Sequence, residues 1–199
     1  MENDDLTLLS VPKIIKPKIE DVIPEILKDN VKGMALDFVA HLRKNKMSPG
    51  YAGYAKAWDA KCKGRLICKV SLGAEYKETV NIKGNWNVML YLKNTEKYEN
   101  TIFEENLQNC IWDNVHRCNS CGGTCTPEDK IVVFLGKEIK GVCKHIYNQI
   151  RFRSPNILDM DKLKRLLELE QQARKNIQTK GATQWQTSPI LITPETPSW

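Results

Sequence analysis

Two stretches in the first half of the chain alternate between apolar and polar residues, at positions 58–72 and 80–90. Successive side chains of a β-strand point to opposite faces of a sheet, so a period of two predicts strands with one buried face. The dipeptide Lys63-Gly64 interrupts the first stretch and predicts the tight turn of a β-hairpin. This part of the chain is therefore expected to form consecutive antiparallel strands.

Helical spacing is found on both sides of these strands. Residues 34–44 place apolar side chains three and four positions apart, which predicts an amphipathic helix stopped by the Ser-Pro-Gly sequence that follows. Thr101 and Glu104 form a capping-box pattern ahead of a second helix, expected to end near His116. Asp159 is expected to cap a last helix.

The second half also contains strand-like segments, at 130–136, 137–143 and 150–155. The whole order is then helix, three strands, helix, two or three strands, helix. Strands that follow one another with few crossovers favour antiparallel pairing. The sequence therefore predicts an α+β fold, an antiparallel sheet with helices packed on one face.

Composition divides the chain into three parts. Residues 1–30 contain three prolines among acids and lysines and are expected to form an N-terminal extended arm with at most one helical turn. Residues 31–178 are expected to be a single α+β domain that carries a cysteine-rich loop. Residues 179–199 are rich in Thr and Pro and are expected to be a flexible C-terminal tail.

The absence of a long apolar run bears on where the protein works. No stretch approaches the roughly 18 apolar residues that cross a bilayer, and the acidic N-terminus differs from a signal peptide. These features predict a cytoplasmic protein without a membrane segment, in a compartment that keeps thiols reduced. The net charge is +6, from 30 basic and 24 acidic residues. The excess of basic residues makes nucleic-acid binding an alternative function, although most of the surface is of mixed sign.

Four of the seven cysteines lie between positions 118 and 143. Cys118 and Cys121 have the Cys-x2-Cys spacing of many zinc sites, and the two glycines that follow permit a turn that returns Cys125 to the same point. Cys143 follows a pair of strand-like segments that would bring the chain back toward its start. We therefore predict a closed, structural zinc site formed by Cys118, Cys121, Cys125 and Cys143.

Other interpretations of these cysteines are open at this point. The thiols could be free or redox-active, they could hold an iron–sulfur cluster, or His116 or His145 could replace Cys143 as a ligand. A nucleophile pair of Cys143 and His145 would make the protein a thiol-dependent enzyme. The sequence contains no Walker loop, Rossmann fingerprint or His-Glu-x-x-His motif, and no catalytic residue is predicted. Cys68 and Cys110 lie on apolar faces and are expected to pack as small hydrophobic residues.

Trp58 and Trp86 lie on the apolar faces of the alternating strands. One interpretation is core packing. The other is that the two rings line a pocket between the sheet and the helices and contact a small-molecule ligand. With that pocket, the leading functional prediction is a ligand- or effector-binding domain without catalytic activity.

Four segments, GMALDFVAHLRKNKMSPG, WDAKCKGRLICKV, CNSCGGTC with LGKEIKGVC, and SPNILDMDKLKRLLEL, resemble an uncharacterised family of bacterial hypothetical proteins. The resemblance covers about residues 34–175, and the cysteine block is its most specific part. The layout is also similar to small α+β domains of the YdhG type and, more loosely, to GyrI-like effector-binding domains. The resemblance implies a compact α+β fold and a ligand pocket, and it transfers no catalytic residue.

Overall fold

The structure, a computed structural model, describes residues 16–53, 56–73, 85–117, 131–142 and 147–182, with side chains described as far as Asn176. The helices are α1 (Ile19–Ile26), α2 (Asp29–Lys44), α3 (Glu99–Glu104), α4 (Gln108–Asn114) and α5 (Ile157–Ala182). The strands are β1 (Pro49–Tyr51), β2 (Ala57–Cys62), β3 (Arg65–Leu72), β4 (Trp86–Tyr91), β5 (Ile131–Phe134), β6 (Lys137–Lys140) and β7 (Gln149–Arg153).

Five of these strands form one antiparallel sheet in the order β1-β2-β3-β4-β7. Lys63 and Gly64 join β2 to β3 with φ angles of 49° and 76°, as a two-residue hairpin turn with two positive φ angles requires. The predicted hairpin and the predicted α+β fold are both confirmed. The second alternating stretch is confirmed only in β4, because residues 80–84 lie outside the described part of the chain.

One face of this sheet is buried beneath the helices. Trp58 lies opposite Val70, and Val70 lies opposite Val88 on the next strand, so the buried side chains form continuous rows across the sheet. Such rows arise because every second residue of each strand points to the same face. The helices complete the core with fully buried side chains, among them Phe38, Leu42, Leu163, Leu166 and Leu167.

Helix α1 differs from the extended arm expected for residues 1–30. Ile19, Ile23 and Leu27 recur every four residues and are fully buried, because that spacing places them on one helical face. Pro24 lies inside this helix and removes one internal hydrogen bond. The helix ends two residues later, at Ile26. The side chain of Arg43 in α2 also forms a bidentate ion pair with Glu20 of α1.

The helix expected from Thr101 to His116 is in fact two short helices, α3 and α4. Asn106 has a φ of 56°, and the amide of Leu107 donates to the carbonyl of Ile102 at 2.9 Å. This is the hydrogen bond of a Schellman motif, in which a left-handed residue ends the helix and two apolar side chains meet. Thr101 lies inside α3 and caps nothing, so the predicted capping box is wrong.

Helix α5 begins with a capping box, and its capping residue lies three residues before Asp159, the residue predicted to cap it. Asn156 is the capping residue, since its Oδ1 accepts hydrogen bonds from the amides of Leu158 and Asp159. Asp159 reciprocates, because its Oδ2 accepts from the amide of Asn156 at 3.0 Å. Among the described helices, none combines the length and the apolar composition needed to span a membrane.

Strands β5 and β6 form a separate two-stranded sheet, as the two strand-like segments predict. The hairpin contacts α4, because the indole of Trp112 donates to the carbonyl of Phe134 at 2.9 Å. The ring of Phe134 also packs edge-on against Tyr147, at 5.2 Å between ring centroids. The turn end of the hairpin is thus held against the main domain, and the open end carries the chain toward the cysteine segments.

Candidate functional site

The four cysteines predicted to bind zinc lie outside the described residues, Cys118, Cys121 and Cys125 in 118–130 and Cys143 in 143–146. The zinc site therefore stays a prediction. Within the described part of the chain, no group of three or more histidine, cysteine, aspartate or glutamate side chains could hold a metal ion.

The described residues that flank the cysteines bear on whether the four sulfurs can meet. Ile131 pairs with Lys140 at the open end of the β5–β6 hairpin, and paired Cα atoms in antiparallel strands lie about 5 Å apart. Cys143 follows Lys140 by three residues, a reach of about 10 Å, and Cys125 precedes Ile131 by six, about 20 Å. The amide of His116 also donates to the carbonyl of Gln149 at 2.8 Å, which ties the backbone two residues before Cys118 to β7. The hairpin register therefore permits the thiols of Cys125 and Cys143 to meet.

Trp58 and Trp86 both lie in the hydrophobic core, with 1% and 0% of their surface exposed. Strand β3 separates them. The indole of Trp58 donates to the carbonyl of Pro17 at 3.0 Å, and Trp86 packs edge-on against Phe38. The geometry corresponds to the core interpretation, and neither ring lines the cavity that the described residues form elsewhere.

A buried ion pair lies at the opposite end of the sheet from α1. Glu170 of α5 is fully buried, and its Oε1 accepts from the Nε of Arg174 at 2.7 Å. The other acceptor positions are taken by the amide of Asn94 at 3.1 Å, its side-chain amide at 2.8 Å and the hydroxyl of Tyr98 at 2.8 Å. A buried carboxylate needs such partners, because burying an unpaired charge is costly.

The guanidinium of Arg174 joins α5 to the ends of two strands. It donates to the carbonyls of Leu66 at 2.9 Å, Tyr91 at 2.9 Å and Arg65 at 3.3 Å. With the bond to Glu170, partners among the described residues occupy four of its five N–H groups. Arg174 therefore holds the β3 and β4 ends against the helix, and its position is fixed by all four contacts.

Tyr98 supports this network as a proton donor. Burial, together with the negative charge of Glu170, raises the pKa of Tyr98 far above its ordinary value. The phenol therefore stays protonated and donates to the carboxylate. The network is then one anion, one cation and neutral donors, with no net charge of its own.

A cavity of about 630 Å³ opens beside this network, between the β2–β3 turn, the end of β4 and α5. Its volume is in the range of small-molecule sites. Its lining combines four cationic residues with apolar and uncharged ones. The lining residues are Cys62, Lys63, Arg65, Leu66, Tyr91, Lys93, Asn94 and Arg174.

Two of the described thiols, Cys68 and Cys110, do not have the properties of nucleophiles. Cys68 and Cys110 are buried, which confirms that they pack as small hydrophobic residues. Burial raises the pKa of Cys68 well above the ordinary thiol value and that of Cys110 to about 11. A catalytic cysteine needs the opposite shift and an exposed setting. The thiol-enzyme alternative therefore gains no support from either residue.

Comparisons with known proteins give no further assignment. No protein-family model matches the chain, and neither a curated protein nor a solved structure is significantly similar to it. The resemblance to bacterial hypothetical proteins and to effector-binding domains stays a prediction.

Proposed function

We propose that this protein is a small-molecule-binding α+β domain and that the cavity beside Glu170 and Arg174 is its binding site. The observation that carries the proposal is the cavity itself, about 630 Å³ with both charged and apolar walls. Binding sites for small molecules combine concave apolar surface with a few fixed polar groups. Arg174 is such a fixed group, because four hydrogen bonds hold it in place.

The test is a nuclear magnetic resonance screen of small compounds that are neutral, cationic or anionic. Binding in the cavity should shift the backbone amide signals of Lys63, Arg65 and Asn94 and leave those of α1 unchanged. In the variant Leu66→Trp, a large ring should occupy the cavity and abolish these shifts. If no compound of any charge shifts these signals, the cavity is not the binding site.

The same proposal includes a structural zinc ion held by Cys118, Cys121, Cys125 and Cys143. Its support is the spacing of the cysteines and the reach of Cys125 and Cys143 from the two ends of the β5–β6 hairpin. A zinc ion closed by four thiolates would contribute its binding free energy to folding and carry out no chemistry on a ligand. This part of the proposal is independent of the cavity.

Elemental analysis of protein purified without added metal should find about one zinc per chain. Cys121→Ser should lower the free energy of unfolding by several kcal/mol, since the loss of one ligand weakens the whole site. Cys62→Ser, at a cysteine outside the cluster, is the control and should retain the zinc. Metal-free protein with four freely titrating thiols would rule out the site. Parallel substitutions of His116 and His145 show whether either replaces a cysteine ligand.

A further inference from the structure

The charges around the cavity are strongly one-sided. Lys63, Arg65, Lys93 and Arg174 line it, and among the described residues no carboxylate does. Glu170 lies behind the wall, fully buried, and its charge offsets that of Arg174. Three cationic side chains remain, and all three are exposed to solvent. Within the described part of the chain, no carboxylate forms an ion pair with any of them.

The electrostatic consequence is an attraction for anions. Three like charges around one concave surface raise the local positive potential, and low-dielectric walls concentrate that field. Lys63 already donates one hydrogen bond, at 3.4 Å to the carbonyl of Lys175, which leaves its charge uncompensated. A ligand with a negative group would supply the missing counter-charge, whereas a cationic ligand would be repelled.

The remaining walls favour an organic ligand over an inorganic ion. Leu66 and Tyr91 are partly buried and line the same cavity, together with the buried Cys62. A bare anion would leave these surfaces in contact with water. A ring or an aliphatic chain would cover them and gain the free energy of burying apolar surface.

We infer that the cavity binds a small organic anion, whose carboxylate or phosphate group lies among Lys63, Arg65 and Lys93 and whose apolar part lies against Leu66 and Tyr91. This inference rests on the proposed function, since it assigns a ligand class to the same cavity. Asn94 is the uncharged polar residue of the lining, and its side-chain amide is held by Glu170.

The experiment compares the affinities of matched pairs of probes that differ mainly in charge. Binding is measured from amide shifts in nuclear magnetic resonance titrations. Benzoate is paired with benzamide, and adenosine monophosphate with adenosine. The anionic member of a pair should bind at least about threefold more tightly, because each exposed ion pair is worth about 1.4- to fivefold in affinity and three cations are available. The two pairs also distinguish carboxylate from phosphate recognition. Added salt should weaken binding of the anionic probe and leave binding of the neutral probe unchanged.

Two triple variants locate the effect. Lys63→Gln, Arg65→Gln and Lys93→Gln together should weaken binding of the anionic probe at least about threefold, if the three contributions are roughly additive. Lys32→Gln, Lys44→Gln and Lys140→Gln remove the same net charge at exposed positions outside the cavity. This control should change the affinity by less than about twofold, since distant charges are screened.

The outcomes separate the inference from the proposed function. Neutral probes that bind as tightly as anions, with shifts at Lys63 and Asn94, would overturn the inference and support the cavity as a site. Equal losses of affinity in the two triple variants would overturn it too, because the attraction would then come from the net charge of the whole protein. If none of the probes shifts the cavity amides, in a screen that finds no other binder, both proposals fail.

Discussion

Removing the carboxylate of Glu170 tests most directly whether the buried network stabilises the fold. In Glu170→Ala, Arg174 keeps its carbonyl partners but loses its counter-charge, and the amide groups of Asn94 and the hydroxyl of Tyr98 lose their acceptor. Removing one partner of a buried ion pair costs about 3–5 kcal/mol. The orphaned donors of Asn94 and Tyr98 add to that cost where water cannot reach them. We therefore expect a loss of about 4 kcal/mol, a large share of the ~5–15 kcal/mol typical of a domain.

The assay is urea unfolding, followed by far-ultraviolet circular dichroism and analysed by linear extrapolation. Glu168→Ala is the matched control, on the same helix. Its side chain is 36% exposed and lies 3.7 Å from both His41 and Arg165, so its loss should cost less than about 1 kcal/mol. The double variant Glu170→Met with Arg174→Met should be more stable than Glu170→Ala, because no unpaired charge is left in the core.

A loss in Glu170→Ala no larger than in Glu168→Ala would refute this reasoning. It would mean that water solvates the Glu170 carboxylate in the folded protein. The hydrogen bonds between α5 and the strand ends would then contribute little to stability. A double variant less stable than Glu170→Ala would also contradict it, since the cost would then come from lost packing rather than from an unpaired charge.

Two further predictions concern the pH dependence of stability and the N-terminal helix. The pKa of Tyr98 is raised in the folded protein by burial and by Glu170, so the folded state keeps a proton that the unfolded state releases above about pH 10. The stability that Tyr98 contributes is thus complete below pH 10 and should fall above it, by up to about 1.4 kcal/mol per pH unit. Tyr98→Phe should remove that part of the slope in urea unfolding measured between pH 9 and 11, and an unchanged slope would contradict the assignment. Ile23→Ala should cost about 2–5 kcal/mol in the same assay at neutral pH, because Ile23 is fully buried, whereas the exposed Glu25→Ala should change stability by less than about 0.5 kcal/mol. Equal effects of the two substitutions would show that α1 does not pack on the domain.

The strands were predictable because their signal is local. In β2 and β3 every second residue is apolar, and the glycine in Lys63-Gly64 between the two runs indicates a tight turn. α1 was missed for the opposite reason. Three prolines in the first 30 residues outweighed the spacing of Ile19, Ile23 and Leu27, although Pro24 disturbs one hydrogen bond only. The break at Asn106 has no proline or glycine to mark it, so two short helices resembled one longer helix.

The candidate site was not predictable by motif, because its residues come from three separate parts of the chain. Residues 62–66, 91–94 and Arg174 meet only in the folded protein. One signal was nevertheless present. Glu170 and Arg174 continue the apolar stripe of Leu163, Leu166 and Leu167 at helical spacing. A charged pair four residues apart on the buried side of a helix indicates an internal ion pair.

Glu170 and the proposed ligand are both anions that interact with the positive charge of Arg174. Replacing Glu170 should therefore affect ligand binding as well as stability. The carboxylate offsets the charge of Arg174 at the cavity wall, so Glu170→Ala should raise the net positive charge facing a bound anion. Three carbonyl acceptors still orient the guanidinium. We therefore expect Glu170→Ala to bind benzoate several-fold more tightly while being less stable, measured by amide shifts at a temperature where the variant is fully folded. Binding that weakens together with stability would show that Glu170 shapes the cavity rather than limits its charge. Benzamide, which has no charge, should bind the variant and the parent equally.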